Sequence, residues 1–160
     1  MLLIQVVGYK NSGKTTLASR LIKLYADKGI RVASLKHHGH GGVPIGIEDT
    51  DSEKHRQAGA VLSGVEGGGV FQLATKQPLD VDKMIAFYEL FDIEVVVIEG
   101  YKKLNFDKIV LIRNEDDLHL LKLSNIKAVV TSIPIKQTDS YPIFKNQTDV
   151  CGWIDQQFPR

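Results

Sequence analysis

Apolar residues along this chain recur at two spacings. Leu2–Val7 and Ile93–Ile98 are nearly unbroken apolar runs, as strands buried on both faces of a parallel sheet are. Ile30–Lys36, Ile109–Arg113 and Ala128–Thr131 read as further strands. Lys14–Lys28 instead carries Leu17, Leu21 and Leu24 on one face, with Ala18, Ile22 and Tyr25 beside them, which is amphipathic helical spacing. Gly29 then closes that helix as a C-terminal cap. Thr50-Asp51-Ser52-Glu53 has the capping-box form and starts a short helix ending near Gly59. Ala60–Val65 and Val70–Thr75 flank Glu66-Gly67-Gly68-Gly69, a hairpin or two adjacent strands on a flexible turn. Asp82–Phe91 is helical, a short helical segment falls near Glu115–Leu121, and Val150, Trp153, Ile154 and Phe158 mark a C-terminal helix. Strands alternating with helices predict a three-layer α/β domain with a mainly parallel central sheet, one domain over residues 1–160. His37 to Asp49 breaks the pattern: rich in His and Gly and without periodicity, it reads as a functional loop.

The first strand runs straight into Gly8-Tyr9-Lys10-Asn11-Ser12-Gly13-Lys14-Thr15, followed by Thr16. Glycines here let successive backbone N–H groups turn around phosphate oxygens. Lys14 can reach the β- and γ-phosphates, and the Thr15 hydroxyl can ligate Mg²⁺. The helix behind them points its positive dipole end at the same anion. Together Gly8, Lys10, Asn11, Ser12, Gly13, Lys14, Thr15 and Thr16 form a phosphate-binding loop in its expected strand–loop–helix context, so the chain is expected to bind a nucleoside triphosphate. Lysine at the second position of this loop would mark the deviant loops of partitioning ATPases; Tyr9 stands there instead.

Composition narrows the class. With 160 residues and a formal charge of +1, bulk electrostatics give no argument for a nucleic-acid partner. Cys151 is the single cysteine, so no internal disulfide forms. No apolar stretch reaches membrane-spanning length. The apolar N-terminus leads into the phosphate loop, so a cleaved signal peptide would remove a functional strand. The expectation is a cytoplasmic protein without membrane or nucleic-acid partners.

Several polar residues are candidates for the rest of the site. Glu99, ending the apolar run Val95-Val96-Val97-Ile98, is placed to orient Mg²⁺ or its waters, or merely leaves the sheet into solvent. Asp51 either adds a metal contact or serves the dipole in the first turn of its helix. Lys36, His37, His38 and His40 form a polar cluster open to three readings: contact with an anionic substrate, a solvated loop, or a transition-metal site. Tyr101-Lys102-Lys103 and Lys108 extend positive charge near Glu99-Gly100, a solvated surface or a hold on a second anion.

Gly8–Thr16, the Lys36-His37-His38 loop, Asp51-Ser52 with Ala58-Gly59-Ala60, and Glu99-Gly100-Tyr101-Lys102 with Lys108-Ile109 resemble, in this order, the molybdopterin-guanine dinucleotide biosynthesis protein B family. The resemblance spans nearly the whole chain. It implies a small P-loop protein that binds GTP and Mg²⁺, hydrolyses GTP weakly, forms homodimers, and assists molybdenum cofactor maturation. Its implied partners are protein A, the molybdopterin guanylyltransferase, and molybdopterin itself. The same resemblance makes Lys14, Thr15 and Glu99 the phosphate and metal residues, with Asp51 added. Lys36, His37, His38 and Lys102 are the candidates for a second ligand. A homodimer would pair through the apolar segment Ala60–Thr75, whose edge is open.

The residues alone do not select guanine. No Asn/Thr-Lys-X-Asp segment is present; Thr75-Lys76-Gln77-Pro78 lacks the Asp and precedes Glu99. Backbone groups near Thr131-Ser132, or a partner chain, are left to read the base. The competing class is a P-loop small-molecule kinase or ATP-dependent ligase, with Lys36, His38 and Lys102 holding the acceptor. Kinases of this architecture carry an Arg-rich lid, and none is visible here.

Overall fold

The long apolar runs assemble into one six-stranded sheet in which every pairing is parallel. The computed structural model describes residues 1–38 and 50–157. In chain order the elements are β1 (Leu2–Val7), α1 (Lys14–Ala26), β2 (Val32–Lys36), α2 (Asp51–Gln57), β3 (Leu62–Gly67), β4 (Val70–Thr75), α3 (Val81–Glu89), β5 (Val95–Glu99), β6 (Lys108–Ile112), a 3₁₀ segment (Glu115–Lys122), β7 (Ile126–Thr131), β8 (Ile143–Phe144) and α4 (Gln147–Gln157). The chain divides into two units, Met1–His37 with Tyr88–Arg160, and His38–Phe87.

The first unit holds the sheet, in the order β2-β5-β1-β6-β7-β8. Alternation sends Ile4 and Val6 of β1, Val95 and Val97 of β5, and Ile109 and Leu111 of β6 to one face. There they pack against Leu17, Leu21 and Tyr25 of α1 and Val150 and Ile154 of α4. Val7, Val110, Ile112 and Val129 face the other way, onto Leu118, Leu120 and Leu121 of the 3₁₀ segment. The mainly parallel α/β sheet expected from the sequence is thus present. β8 escaped notice because two residues cannot show periodicity.

Helix ends follow the local chemistry. Gly29 adopts φ 74°; its N–H donates to the Ala26 carbonyl, and the Ile30 N–H to that of Tyr25. That is the Schellman stop expected of Gly29, and the regular helix runs to Ala26. In the second unit the Thr50 side chain accepts from the Glu53 N–H (3.2 Å) and caps α2. The Glu53 carboxylate bonds to Arg56 and Gln57, taking up Arg56. β3 and β4 pair antiparallel across Gly68 and Gly69, whose φ values of 58° and 78° suit the primed turn of a two-residue hairpin.

Lys108 does not join the exposed basic residues with which its position groups it. It is fully buried, and its ammonium donates to the carbonyls of Leu104 and Phe106 (2.9 Å to the latter). Burial lowers its pKa, against the pull of Asp107. In β1 its register partner is Gln5, also fully buried, whose Nε2 donates to the carbonyls of Gly100 (2.7 Å) and Tyr101 (2.6 Å). These two side chains satisfy four carbonyls of the β5–β6 connection from beneath. Lys108 is therefore a structural lysine, and no second anion is assigned to it.

Tyr25 is buried, its hydroxyl has no partner among the described residues, and burial raises its pKa to about 12. The unfolded chain ionises this phenol near its ordinary 10, so its neutral form favours the folded state below that pH. That preference is lost as pH rises from 10 towards 12. Replacing Tyr25 by Phe removes a buried, unsatisfied hydroxyl. Urea melts should show the Tyr25→Phe protein at least as stable at pH 7, and higher by about 1 kcal/mol if the hydroxyl's desolvation is fully relieved. They should also show a smaller loss above pH 10. A large destabilisation at pH 7 would mean that the hydroxyl has a partner.

Candidate nucleotide-binding site

The phosphate loop leaves the carboxyl end of β1, the middle of the sheet, where open α/β folds place ligands. Asn11 and Gly13 hold φ of 62° and 87°, and the Ser12 N–H donates to the Tyr9 carbonyl (3.2 Å). Gly8 is required sterically: a Cβ there would lie 2.4 Å from Ser12 Oγ and 3.0 Å from the Leu111 carbonyl oxygen. Lys10 is exposed on the loop. Lys14 and Thr15 open α1, and Thr16 follows in its first turn. The Lys14 ammonium turns back to donate to the Tyr9 carbonyl (2.5 Å). Desolvation lowers its pKa; Glu99 opposes that, while Lys102 and Lys36 reinforce it.

Beside the loop lies a cation seat built by strand register. Glu99 ends β5, paired with Val6 of β1 on one side and Lys36 of β2 on the other. Its side chain faces α1, and the Thr15 hydroxyl donates to it at 3.0 and 3.1 Å from its two oxygens. The Lys36 ammonium stands 3.2 Å from Glu99 Oε1 and 3.3 Å from Thr15 Oγ1. Glu99 is 8% exposed, so it does not simply leave the sheet into solvent. A positive group already sits on this hydroxyl and carboxylate, both hard oxygen donors, which is the donor chemistry Mg²⁺ takes. Among the described residues no group of three or more His, Cys, Asp or Glu side chains converges on a metal position. A Mg²⁺ held here by Thr15 and Glu99 would complete its shell with phosphate oxygens and water.

The other candidates divide. The His37 N–H donates to the Glu99 carbonyl (3.0 Å), and its ring lies 4.7 Å from that of Tyr101. Lys102 places its ammonium 3.3 Å from the centre of the Tyr9 ring, a cation–π contact on the phosphate loop itself. Lys36, His37 and Lys102 thus gather around the loop. Asp51 lies in the second unit, exposed in the first turn of α2 and paired with Lys54 at 2.8 Å. His38 belongs to that unit too. His40 and the Gly41–Glu48 stretch lie outside the described residues.

Three contributors carry weak sequence signals or none. Gln5 is visible as the one polar residue in an apolar strand. His119 is not foreseeable: its Nδ1–H donates to the Asp116 carbonyl (2.6 Å), and its Nε2 shares a hydrogen bond with the Tyr9 hydroxyl (2.7 Å). Gln147 reaches from the start of α4 to donate to the Gly13 carbonyl (3.0 Å), tying the loop to residues far along the chain.

Comparison with known proteins matches residues 3–132 to the family model for molybdopterin guanine dinucleotide synthesis protein B. The chain belongs to this family. A Bacillus subtilis relative, a probable molybdopterin-guanine dinucleotide biosynthesis adapter protein, is 38% identical over 80% of this chain and 75% of its own. A Haemophilus influenzae adapter protein is 29% identical over 84% of this chain and 76% of its own. The crystal structure of Bacillus subtilis MobB superposes with a TM-score of 0.83 at 32% identity, each chain covered completely. That of the Bacillus stearothermophilus MobB homologue gives 0.77 at 34%, covering 98% of this chain and 97% of the other. The P-loop fold expected from the motif is the fold of this family.

Gly8→Ala should lower affinity for a nucleoside triphosphate at least about tenfold, because the loop must open to admit the methyl group. Lys14→Ala should abolish measurable binding with an unchanged far-ultraviolet spectrum. Calorimetric titration reads both, and affinities like the wild type would remove the loop from the site.

Proposed function

We propose that this chain is a GTP-binding adapter in molybdopterin guanine dinucleotide synthesis. It would hold GTP·Mg²⁺ for the guanylyltransferase that joins GMP to molybdopterin. The observation that carries this reading is the Thr15 hydroxyl bonded to the Glu99 carboxylate behind a complete phosphate loop, in a chain of the protein B family. Gly8 to Thr16 take the phosphates, and Thr15 and Glu99 the metal. The whole chain serves as one nucleotide-binding domain in the cytoplasm, where GTP is at hand.

Hydrolysis is slow in this reading. Arg31 pairs with Asp92 and Arg56 with Glu53, and this reading assigns no arginine as a finger. Lys36, His37, His38 and Lys102 supply positive or hydrogen-bonding groups for a phosphorylated second ligand such as molybdopterin. The kinase or ligase alternative is not favoured by the family to which the chain belongs. Guanine would be read by backbone groups near Thr131-Ser132 or by the partner.

A homodimer is supported by the second unit. β3 and β4 pair only with each other among the described residues, and Leu62, Phe71 and Leu73 share one exposed face of the hairpin. An apolar face with two open edges invites a second copy.

Titration with GTP and with ATP, each with Mg²⁺, should show a clear preference for GTP; equal affinities or a preference for ATP would return the kinase or ligase reading to the front. Glu99→Gln should weaken binding more with Mg²⁺ than without it. Light scattering should give a dimer mass for the native chain and a monomer mass for Phe71→Glu. A monomer at high concentration would end the dimer proposal.

A further inference from the structure

The ammonium of Lys36 occupies the position that a metal bound to Thr15 and Glu99 would need. Its nitrogen lies 3.2 Å from Glu99 Oε1 and 3.3 Å from Thr15 Oγ1, while Thr15 itself donates to both carboxylate oxygens. All three groups are mutually within hydrogen-bond reach. A Mg²⁺ at about 2.1 Å from the same hydroxyl and carboxylate oxygens cannot share them with an ammonium at contact distance. Two cations also repel strongly in a half-buried setting. The position is fixed by the sheet: Lys36 and Glu99 are Cα partners at the ends of adjacent parallel strands. The lysine stem is more than half exposed, so the side chain has room to leave.

We infer that Lys36 is an internal counter-ion that holds the cation seat in the nucleotide-free protein and is displaced when the metal–nucleotide complex arrives. Two consequences follow. Without nucleotide, the seat discriminates against free Mg²⁺, because the metal must break an ion pair and a hydrogen bond before it binds. With nucleotide, the phosphates bring enough negative charge to hold both cations apart: the metal on Thr15 and Glu99, the ammonium on an anionic oxygen. Release of Lys36 thus turns it from a partner of Glu99 into a cation paired with an anionic oxygen of the ligand. The residue next to it, His37, bonds to the Glu99 main chain. Lys36 is a positioning residue in this scheme. It takes no covalent part in any step.

The inference rests on the reading of Thr15 and Glu99 as the metal seat, and the test separates the two. Mn²⁺, followed by electron paramagnetic resonance, is titrated into the native protein and into Lys36→Met, Lys36→Arg, Lys102→Met and Glu99→Gln, with and without GTP. In the absence of nucleotide, Lys36→Met should bind Mn²⁺ roughly tenfold more tightly than the native chain, the size of one charge-assisted hydrogen bond. Lys36→Arg should stay near native affinity. Lys102→Met removes the same charge from over the Tyr9 ring but not from the seat, and should tighten binding much less. With GTP present, the gap between the native chain and Lys36→Met should narrow. Unchanged or weaker Mn²⁺ binding by Lys36→Met overturns the counter-ion role. An equal gain from Lys102→Met does so too, since it would show only general charge repulsion. Full Mn²⁺ affinity in Glu99→Gln, or no Mn²⁺ bound by any form even with GTP, overturns the seat itself and the proposal with it.

Discussion

The register of β5 between β1 and β2 is the constraint on which the site depends. Val6 and Lys36 flank Glu99 as Cα partners on its two sides, and α1, packed across these strands, brings Thr15 over the same carboxylate. A slip of one residue in β5 would turn Glu99 to the opposite face and carry Val95 and Val97 with it. Such a slip is opposed by every apolar side chain of the strand, since all five of its residues are buried. The hydrophobic core therefore sets the geometry of the polar site. A carboxylate this buried costs free energy unless paired and hydrogen-bonded; the Thr15 hydroxyl and Lys36 ammonium provide both.

The chain after Glu99 shows how that geometry is maintained. Gly100 and Tyr101 adopt φ of 91° and 51° in succession. Tyr101 carries a side chain in a conformation that costs of order 1 kcal/mol, so something must hold it. Gln5 does: its amide grips both carbonyls from the buried side of β1, and Lys108 grips two more further along. The Gly100 turn is also close, a Cβ there meeting His37 Cβ at 3.2 Å. The result is that Lys102 emerges over the Tyr9 ring, and a buried glutamine and lysine decide where this half-buried lysine points. Strain near a site, held by packed polar groups, is a common arrangement.

Much of this was legible in the sequence, and the reasons for the remainder are physical. Uninterrupted apolar runs announce buried parallel strands, and the loop Gly8 to Thr15 carries its chemistry in residue types at fixed spacing. Glu99 was legible as a candidate because it is the one carboxylate closing an apolar strand next to such a loop. Its partnership with Lys36 was not, because it depends on β5 lying between β1 and β2, an order that local patterns do not encode. Lys108 illustrates the same limit from the other side. Its charge reads as surface, yet its place at the start of β6 opposite Gln5 buries it, and only the neighbouring strand reveals that. His119 and Gln147 reach the loop across about 110 and 134 residues, a separation at which no motif helps.

The two units also differ in what their surfaces must do. In the first, apolar residues are turned inward on both faces of the sheet, and polar side chains meet at the carboxyl ends of β1, β5 and β2. In the second, the hairpin leaves Leu62, Phe71 and Leu73 exposed on one face, although Ser63, on the other, is buried and donates to the Ser52 carbonyl (2.6 Å) to fasten β3 to α2. A two-stranded ribbon is marginal in water on its own, and exposed apolar residues on it are costly unless covered. The paired glycines at its tip fix the register of the strands, so this apolar face is presented as a defined surface. Among the described residues no other strand pairs with this hairpin, so its two backbone edges are left open.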